Sequence, residues 1–311
     1  MIAQPDGGVP STLSPDEAFT LVGDETRIGI LHALWTAYDP YAADSAVPFS
    51  ELFDRVGADD TGNFNYHLGK LTGHFVRRTD SGYELTAPGL KVVRAVIAGG
   101  VTGDPTVEST PVDATCDRCG STIELTYEDG TTWARCNTCD GYWPQRGGEI
   151  FGFSLPPAGL RGRTPDDILD ATIVYSIHRF ETMIDGICPE CGGTVDTSLA
   201  VCANHDADDG ICDVCDAHFM GIITCVCRSC KFAWRCPSYA WVLNHPALAS
   251  FYYRHGIEHV PATWAAIRRG LGWQEERVST DPPSLRLSVE HEGERIRFVL
   301  DQTGSVVDVH E

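Results

Sequence analysis

The sequence predicts an α+β multidomain protein, and three stretches carry that expectation. Apolar residues recur at helical spacing through the first hundred positions and give way to a short hairpin; the middle carries Cys-x-x-Cys pairs; the end alternates apolar with polar. With 311 residues there is room for two or three domains, each with its own core.

The N-terminal part is organised around Thr61 to Thr86, TGNFNYHLGKLTGHFVRRTDSGYELT. Thr61 reads as an N-cap, and Phe64, Leu68 and Leu71 recur at i, i+4 and i+7, so one stripe faces a core. Asn63, Asn65, Tyr66, His67 and Lys70 are left on the other faces. Gly73 ends the helix, Phe75 and Val76 start a strand, Asp80-Ser81-Gly82 turns, and Tyr83-Glu84-Leu85 returns. Upstream, Ser14-Pro15-Asp16-Glu17 opens a first helix. Asp24 to Arg27 opens a second, with Ile28, Leu31, Leu34 and Trp35 inward, and Phe49 to Val56 forms a third with Leu52, Phe53 and Val56. Three helices, a reading helix and a wing are the order of a winged helix-turn-helix, expected over residues 14–98 behind a mobile tail at 1–13.

Charge points the same way. From Gly62 to Thr79 there is no Asp or Glu, while Lys70, Arg77 and Arg78 are cationic in a chain of net charge −21. A basic island in an acidic protein calls for an anionic partner, here double-stranded DNA. The alternative for the same residues is a solvated face that docks protein. The run GDETRIGILHAL, then FSELFDRVG, then NYHLGKLTGHFV and a GYELT wing resembles the winged-helix regulators of the ArsR type over residues 14 to 98. That resemblance implies a DNA-reading helix at Asn63, Asn65, Tyr66, His67 and Lys70, a wing from Arg77 to Tyr83, and a homodimer packed through a terminal helix. The cysteine motif of metal-sensing members has no counterpart in Phe49 to Val56, so arsenite or cadmium sensing there is not expected.

Ala87 to Ala98 reads as that terminal helix, with Leu90, Val93 and Ile97 on one face, and residues 99–114 read as a linker. Then Cys116-x-x-Cys119, sixteen residues and Cys136-x-x-Cys139 predict a zinc ribbon at 115–157. Ile123, Leu125 and Tyr127 alternate, Asp129-Gly130 turns, and Trp133 alternates on the return, so a hairpin brings both pairs to one metal.

Residues 158–311 are expected to hold a long helix, further zinc sites and a β-meander. Thr164-Pro165-Asp166-Asp167 opens the helix, with Ile168, Thr172, Tyr175, Phe180 and Ile184 on its buried side. Cys188, Cys191, Cys202 and His205 can close one site, and Cys212, Cys215, Cys227 and Cys230 another; a crossed pairing such as Cys188 and Cys191 with Cys212 and Cys215 stays open. The twelve ligands imply about three zinc ions per chain, and Cys225 and Cys236 are left as buried thiols. Ser238 to Leu243, Pro246 to His255 and Pro261 to Arg269 read as short helices. Leu285, Leu287 and Val289, then Ile296, Phe298 and Leu300, then Val307 and Val309 alternate as a meander. This C-terminal part resembles domains found behind winged helices in haloarchaeal proteins.

His255-Gly-Ile-Glu258-His259 matches the H-x-x-E-H motif of inverted zincins, a metalloprotease alternative. Gly256 and Pro261 break the helix that it needs, and no phosphate loop or nucleophile elbow appears, so no enzyme is expected. Acidic residues number 44 against 23 basic, a Lys-poor balance that resembles proteins of salt-accumulating archaea. With no charged-then-apolar leader and no apolar run of spanning length, the expectation is a cytoplasmic protein without a membrane partner. Close cysteine pairs in a reducing compartment argue for metal over disulfides. The reading is a DNA-binding transcriptional regulator whose zinc-stabilised C-terminal part takes an effector or a protein partner, with a zinc-ribbon interaction adaptor as the rival.

Overall fold

A computed structural model of the chain describes residues 13–42, 44–99, 105–143, 147–207 and 210–311. It divides into two units, Met1–Thr102 and Gly103–Glu311. Among the described residues, eight α-helices and four antiparallel sheets give a mixed α+β architecture. The expected tail lies outside the described residues except for Leu13, as does the part of the expected linker at 100–104.

In the first unit, α1 (Pro15–Val22) starts at a capping box: the Ser14 hydroxyl accepts from the Glu17 N–H and the Glu17 carboxylate accepts from the Ser14 N–H. The central helix α2 (Glu25–Ala37) packs on α3 (Phe49–Val56), α4 (Thr61–Leu71) and α5 (Ala87–Ile97). Its buried arc is therefore Ile30, Leu31, Ala33 and Leu34; Ile28, expected inward, is exposed and Trp35 only partly covered. Gly57 ends α3 in the left-handed region at φ 68°. Asp60, not Thr61, caps α4, its Oδ1 accepting from Gly62 N at 2.7 Å and Asn63 N at 3.3 Å. A carboxylate is the stronger acceptor, and it also faces the positive end of the helix dipole.

Helix α4 buries Phe64, Leu68 and Leu71 as its period predicts, and the rings of Phe49 and Phe53 each meet Phe64 at 5.3 Å, edge-on. Strands β1 (Val76–Arg78) and β2 (Tyr83–Leu85) form the hairpin. The sequence reading missed a third rung, where Val47 and Tyr83 exchange backbone hydrogen bonds at 2.8 and 2.9 Å. That rung explains Gly82, since a Cβ there would stand 2.2 Å from the Val47 carbonyl oxygen.

The second unit begins with a strand where the sequence reading had a linker. β3 (Val107–Thr115) is the edge of a sheet ordered β3, β4 (Thr122–Glu128), β5 (Thr131–Cys136), β6 (Glu149–Ser154). Pro111 and the polar residues around it disguise β3, yet an edge strand tolerates both. Ile123, Leu125 and Tyr127 face the core together with Thr132 and Ala134 on β5, while Trp133 lies on the other face.

Helix α6 (Pro165–Ile184) packs on β3 and β6 and buries Ile168, Leu169, Thr172, Ile173, Ser176, Ile177, Phe180 and Met183, while Tyr175 and Ile184 sit at its margins. One core joins this sheet to α6 and to Phe219, Tyr239, Ile267 and Leu271. The boundary expected near residue 157 therefore runs through a shared core. A three-stranded sheet follows, β7 (Val195–Val201), β8 (Gly221–Cys227) and β9 (Ala233–Pro237), then α7 (Pro246–Arg254) and α8 (Trp264–Leu271).

The closing sheet has four strands: β10 (Gln274–Thr280), β11 (Pro283–His291), β12 (Glu294–Leu300) and β13 (Val306–His310). The expected inward residues Leu285, Leu287, Val289, Ile296, Phe298 and Leu300 are buried, but Val307 is exposed because a register shift at Val299/Leu300 pairs Leu300 with Val306. No helix among the described residues is long and apolar enough to cross a membrane.

Candidate metal centres and candidate nucleic-acid interface

Three clusters in the second unit each gather four ligand atoms within 4.8 Å of one another: Cys116, Cys119, Cys136 and Cys139; Cys188, Cys191, Cys227 and Cys230; Cys202, His205, Cys212 and Cys215. The first is the expected one. The other two regroup the expected ligands, and the cause is β7 and β8. Their antiparallel register sets Val195 against Cys227 and Val201 against Gly221. Residues before β7 then meet residues after β8, which joins Cys188 and Cys191 to Cys227 and Cys230 at one end of the hairpin. The chain between the strands supplies the centre at the other end. Neither the sequential pairing nor the crossed one is formed.

Local backbone aims the sulfurs. After Cys116, Cys188, Cys212 and Cys227 the chain makes the same turn, in which the N–H four residues on donates to the cysteine carbonyl at 2.8, 2.8, 2.8 and 3.2 Å. The residue at that fourth position is left-handed each time: Gly120, Gly192, Asp216 and Lys231, at φ 73°, 72°, 53° and 66°. Backbone N–H groups of Thr138, Gly193, Val214 and Ser229 donate to Cys136, Cys191, Cys212 and Cys227 sulfurs at 3.4 Å. Such bonds favour thiolate over thiol.

Between the pairs, Sγ–Sγ distances are 3.7 Å for Cys116–Cys139, 3.4 Å for Cys119–Cys136, and 3.6 Å for both Cys188–Cys230 and Cys191–Cys227. These are far beyond a disulfide bond of about 2.05 Å. Hydrogen bonds from Ser121 pull the Cys119 thiol down to about 6, and burial pushes Cys116 up to about 12. Four thiols this close cannot all ionise unaided, so a cation between them is what makes a tetrathiolate stable.

The third centre is mixed. His205 Nδ1 lies 3.5 Å from Cys215 Sγ, and the Asp206 N–H donates to Cys212 Sγ at 3.5 Å. It abuts the first centre through aromatic packing: the Tyr142 ring stacks on Phe219 at 5.5 Å and meets His218 edge-on at 5.1 Å, and the Arg118 guanidinium covers Tyr142 at 5.9 Å while its N–H donates to the Gly141 carbonyl. Cys225 and Cys236 are buried outside all three clusters, as expected.

In the first unit, Asn63, Asn65, Tyr66 and Lys70 are exposed on one side of α4, with the Lys70 ammonium 5.5 Å from the Tyr66 ring centroid. His67 is not on that face. Its side chain is 12 % exposed and its Nδ1 lies 3.3 Å from the Asp24 carboxylate at the start of α2, because position 67 adjoins the Phe64–Leu68 stripe. On the hairpin, Arg77 pairs across the strands with Glu84 at 2.6 Å, while the Arg78 guanidinium lies 5.9 Å from the Tyr83 ring centroid. One residue of the α4 face escaped the sequence reading: a Cβ on Gly69 would meet nothing within 4 Å. Its signal was an exposed glycine in a helix interior, which costs ~1 kcal/mol relative to alanine.

The H-x-x-E-H motif is taken apart. α7 stops at Arg254 with His255 as its C-cap, Gly256 turns left-handed at φ 68°, and His259 Nε2 donates to the Leu243 carbonyl at 2.6 Å. His255 instead groups with His291 and Glu292.

Two families match the chain. One, described as a domain of unknown function (DUF7351), covers residues 113–306; the other, described as a domain of unknown function (DUF7347), covers residues 15–96. No curated protein and no solved structure matches the chain significantly.

Proposed function

We propose that this chain, which belongs to the DUF7351 family, is a sequence-specific double-stranded DNA-binding transcriptional regulator whose second unit is held together by zinc. The observation that carries the reading is the α4 face: Asn63, Asn65, Tyr66 and Lys70 exposed around a bare Gly69, on a segment without Asp or Glu from Gly62 to Thr79 in a chain of net charge −21. The helix order, the α4 face and the hairpin support a winged helix-turn-helix of the ArsR type. In that geometry α4 enters the major groove, and Asn63 and Asn65 make paired hydrogen bonds to base edges. Lys70 and Arg78 hold phosphates. Arg77 contributes less, since Glu84 already neutralises it.

The absence of a side chain at Gly69 lets the duplex approach the α4 backbone. A homodimer through α5 would set two such helices on paired half-sites. In the second unit, a 680 Å³ cavity lined by Glu181, Asp196, Trp241 and His245 among others offers room for an effector.

Zinc suits the three thiolate centres. A tetrahedron with metal–sulfur bonds of about 2.3 Å has sulfur–sulfur edges of about 3.8 Å, near the 3.4–3.7 Å between the paired sulfurs. Cys₄ and Cys₃His sets with no open position fit structural sites, which leave the ion nothing to do but tie the fold. The experiment is capture of genomic fragments by the full chain at the salt of its native cytoplasm. The proposal expects a defined sequence to be enriched; equal recovery of all fragments moves the chain to a protein-docking role.

A further inference from the structure

α7 ends at Arg254 with His255 as its C-cap, and β11 ends at His291, which Glu292 and Gly293 follow in the turn to β12. The two imidazole centroids are 5.2 Å apart at an interplanar angle of 74°. One donor atom from each of His255, His291 and Glu292 lies within 4.8 Å of the others.

The His255 side chain is 9 % exposed, with Phe251 packed on its ring at 4.7 Å. Its Nδ1 faces the Glu292 carboxylate at 4.0 Å and its Nε2 faces Glu294 at 3.4 Å, yet Nε2 makes no hydrogen bond among the described residues. The carboxylate beside Nε2 favours the tautomer with its proton there, which leaves Nδ1 as the lone-pair donor on the Glu292 side. Two imidazoles and one carboxylate, those of His255, His291 and Glu292, converge without closing hydrogen bonds, an arrangement of donors suited to a cation.

We propose that His255, His291 and Glu292 form a fourth metal site, which takes one first-row divalent ion of the imidazole-preferring class, such as Zn²⁺, Ni²⁺ or Co²⁺. The donor set fixes the class. Imidazole nitrogens exclude Mg²⁺ and Ca²⁺, which take oxygen ligands, and the lack of a thiolate removes the preference for soft ions. Glu294, across the His255 ring from Glu292, is placed to orient that imidazole, as carboxylates do for metal-bound histidines.

Access distinguishes this site from the other three. Glu292 is 74 % exposed, so solvent reaches the ion and the fourth position stays open, which makes binding reversible where the thiolate centres are closed. The bound ion ties the end of α7 to the β11–β12 turn. This inference does not depend on DNA binding.

The test uses the full chain with its thiolate centres filled with zinc, titrated with Ni²⁺ against a chromophoric chelator and separately with Co²⁺. The expected result is one further ion per chain, with Co²⁺ giving a weak visible band and no thiolate charge-transfer band. His291→Asn and Glu292→Gln, both at the hairpin turn, should each weaken uptake at least about tenfold while the zinc content stays unchanged. Wild-type protein that takes up no ion beyond the thiolate-bound zinc overturns the proposal, whatever the variants do. So does undiminished uptake by both variants, which would place the ion elsewhere.

Discussion

The Nε2 of His205 lies 3.2 Å from the backbone carbonyl oxygen of His218, while the Nδ1 of the same ring points to Cys215 Sγ at 3.5 Å. A metal-bound imidazole usually donates its other N–H to a carbonyl or carboxylate, which fixes tautomer and ring direction. His205 therefore has the second partner that a ligand needs. His205→Ala should lower the zinc content from three per chain to two, and His205→Cys should restore it. Elemental analysis of purified protein decides; three zinc ions in the alanine variant would remove His205 from the centre.

Loss of the first centre should travel. Cys136 shares a core with Ile168, Ile173, Phe219 and Leu271, so Cys136→Ser should loosen α6 and the sheets of the second unit, not only the residues around the sulfurs. Metal binding at a structural site contributes on the order of 10 kcal/mol to folding. Hydrogen exchange should show protection lost beyond Trp143 but kept over residues 15–97. Protection lost there as well would mean that the two units do not fold independently.

Lys231 offers a test in the opposite direction. It holds φ 66° at the turn position where Gly120 and Gly192 serve the equivalent cysteines. Left-handed backbone costs a side-chain-bearing residue roughly 1 kcal/mol, so Lys231→Gly should raise the thermal midpoint with zinc bound. A lowered midpoint would show that the lysine side chain contributes more than the strain it imposes.

What could be read from the sequence followed the range of the interactions. Each cysteine pair is a local turn, and its spacing announces it; so is the α4 stripe of Phe64, Leu68 and Leu71, which the structure buries. The grouping of Cys188 and Cys191 with Cys227 and Cys230 depends on β7 pairing with β8, a non-local fact, though the β-branched run Gly221–Cys227 carried a hint. β10 was missed because Glu275, Glu276 and Arg277 hide its alternation. Glu275 is in fact turned inward, where its carboxylate accepts from the backbone of Met220 and Gly221 and burial raises its pKa. His67 looked like its exposed neighbours because periodicity alone does not show that Asp24 comes to meet it.

Gly69 separates stability from recognition. With nothing beyond the local helix backbone within 4 Å of a Cβ at this position, Gly69→Ala should stabilise the first unit by about 1 kcal/mol through helix propensity. The same methyl group should weaken DNA binding if, as proposed, the duplex approaches α4 at this position. Chemical denaturation and binding isotherms on one preparation give both quantities. A variant that is more stable and binds DNA as tightly as wild type would show that nothing approaches α4 closely at Gly69.

The most direct measurement is a salt titration of binding for the wild type, Asn65→Ala and Arg78→Ala, each on the selected sequence and on a scrambled one. If α4 reads bases, Asn65→Ala costs roughly 1–3 kcal/mol on the selected sequence and flattens the preference for it. Arg78→Ala weakens both DNAs alike and lowers the slope of log affinity against log salt by about one unit, since a phosphate contact is blind to sequence. Wild-type affinity and wild-type preference in both variants would contradict the account: the face of α4 would then not be the surface that meets DNA.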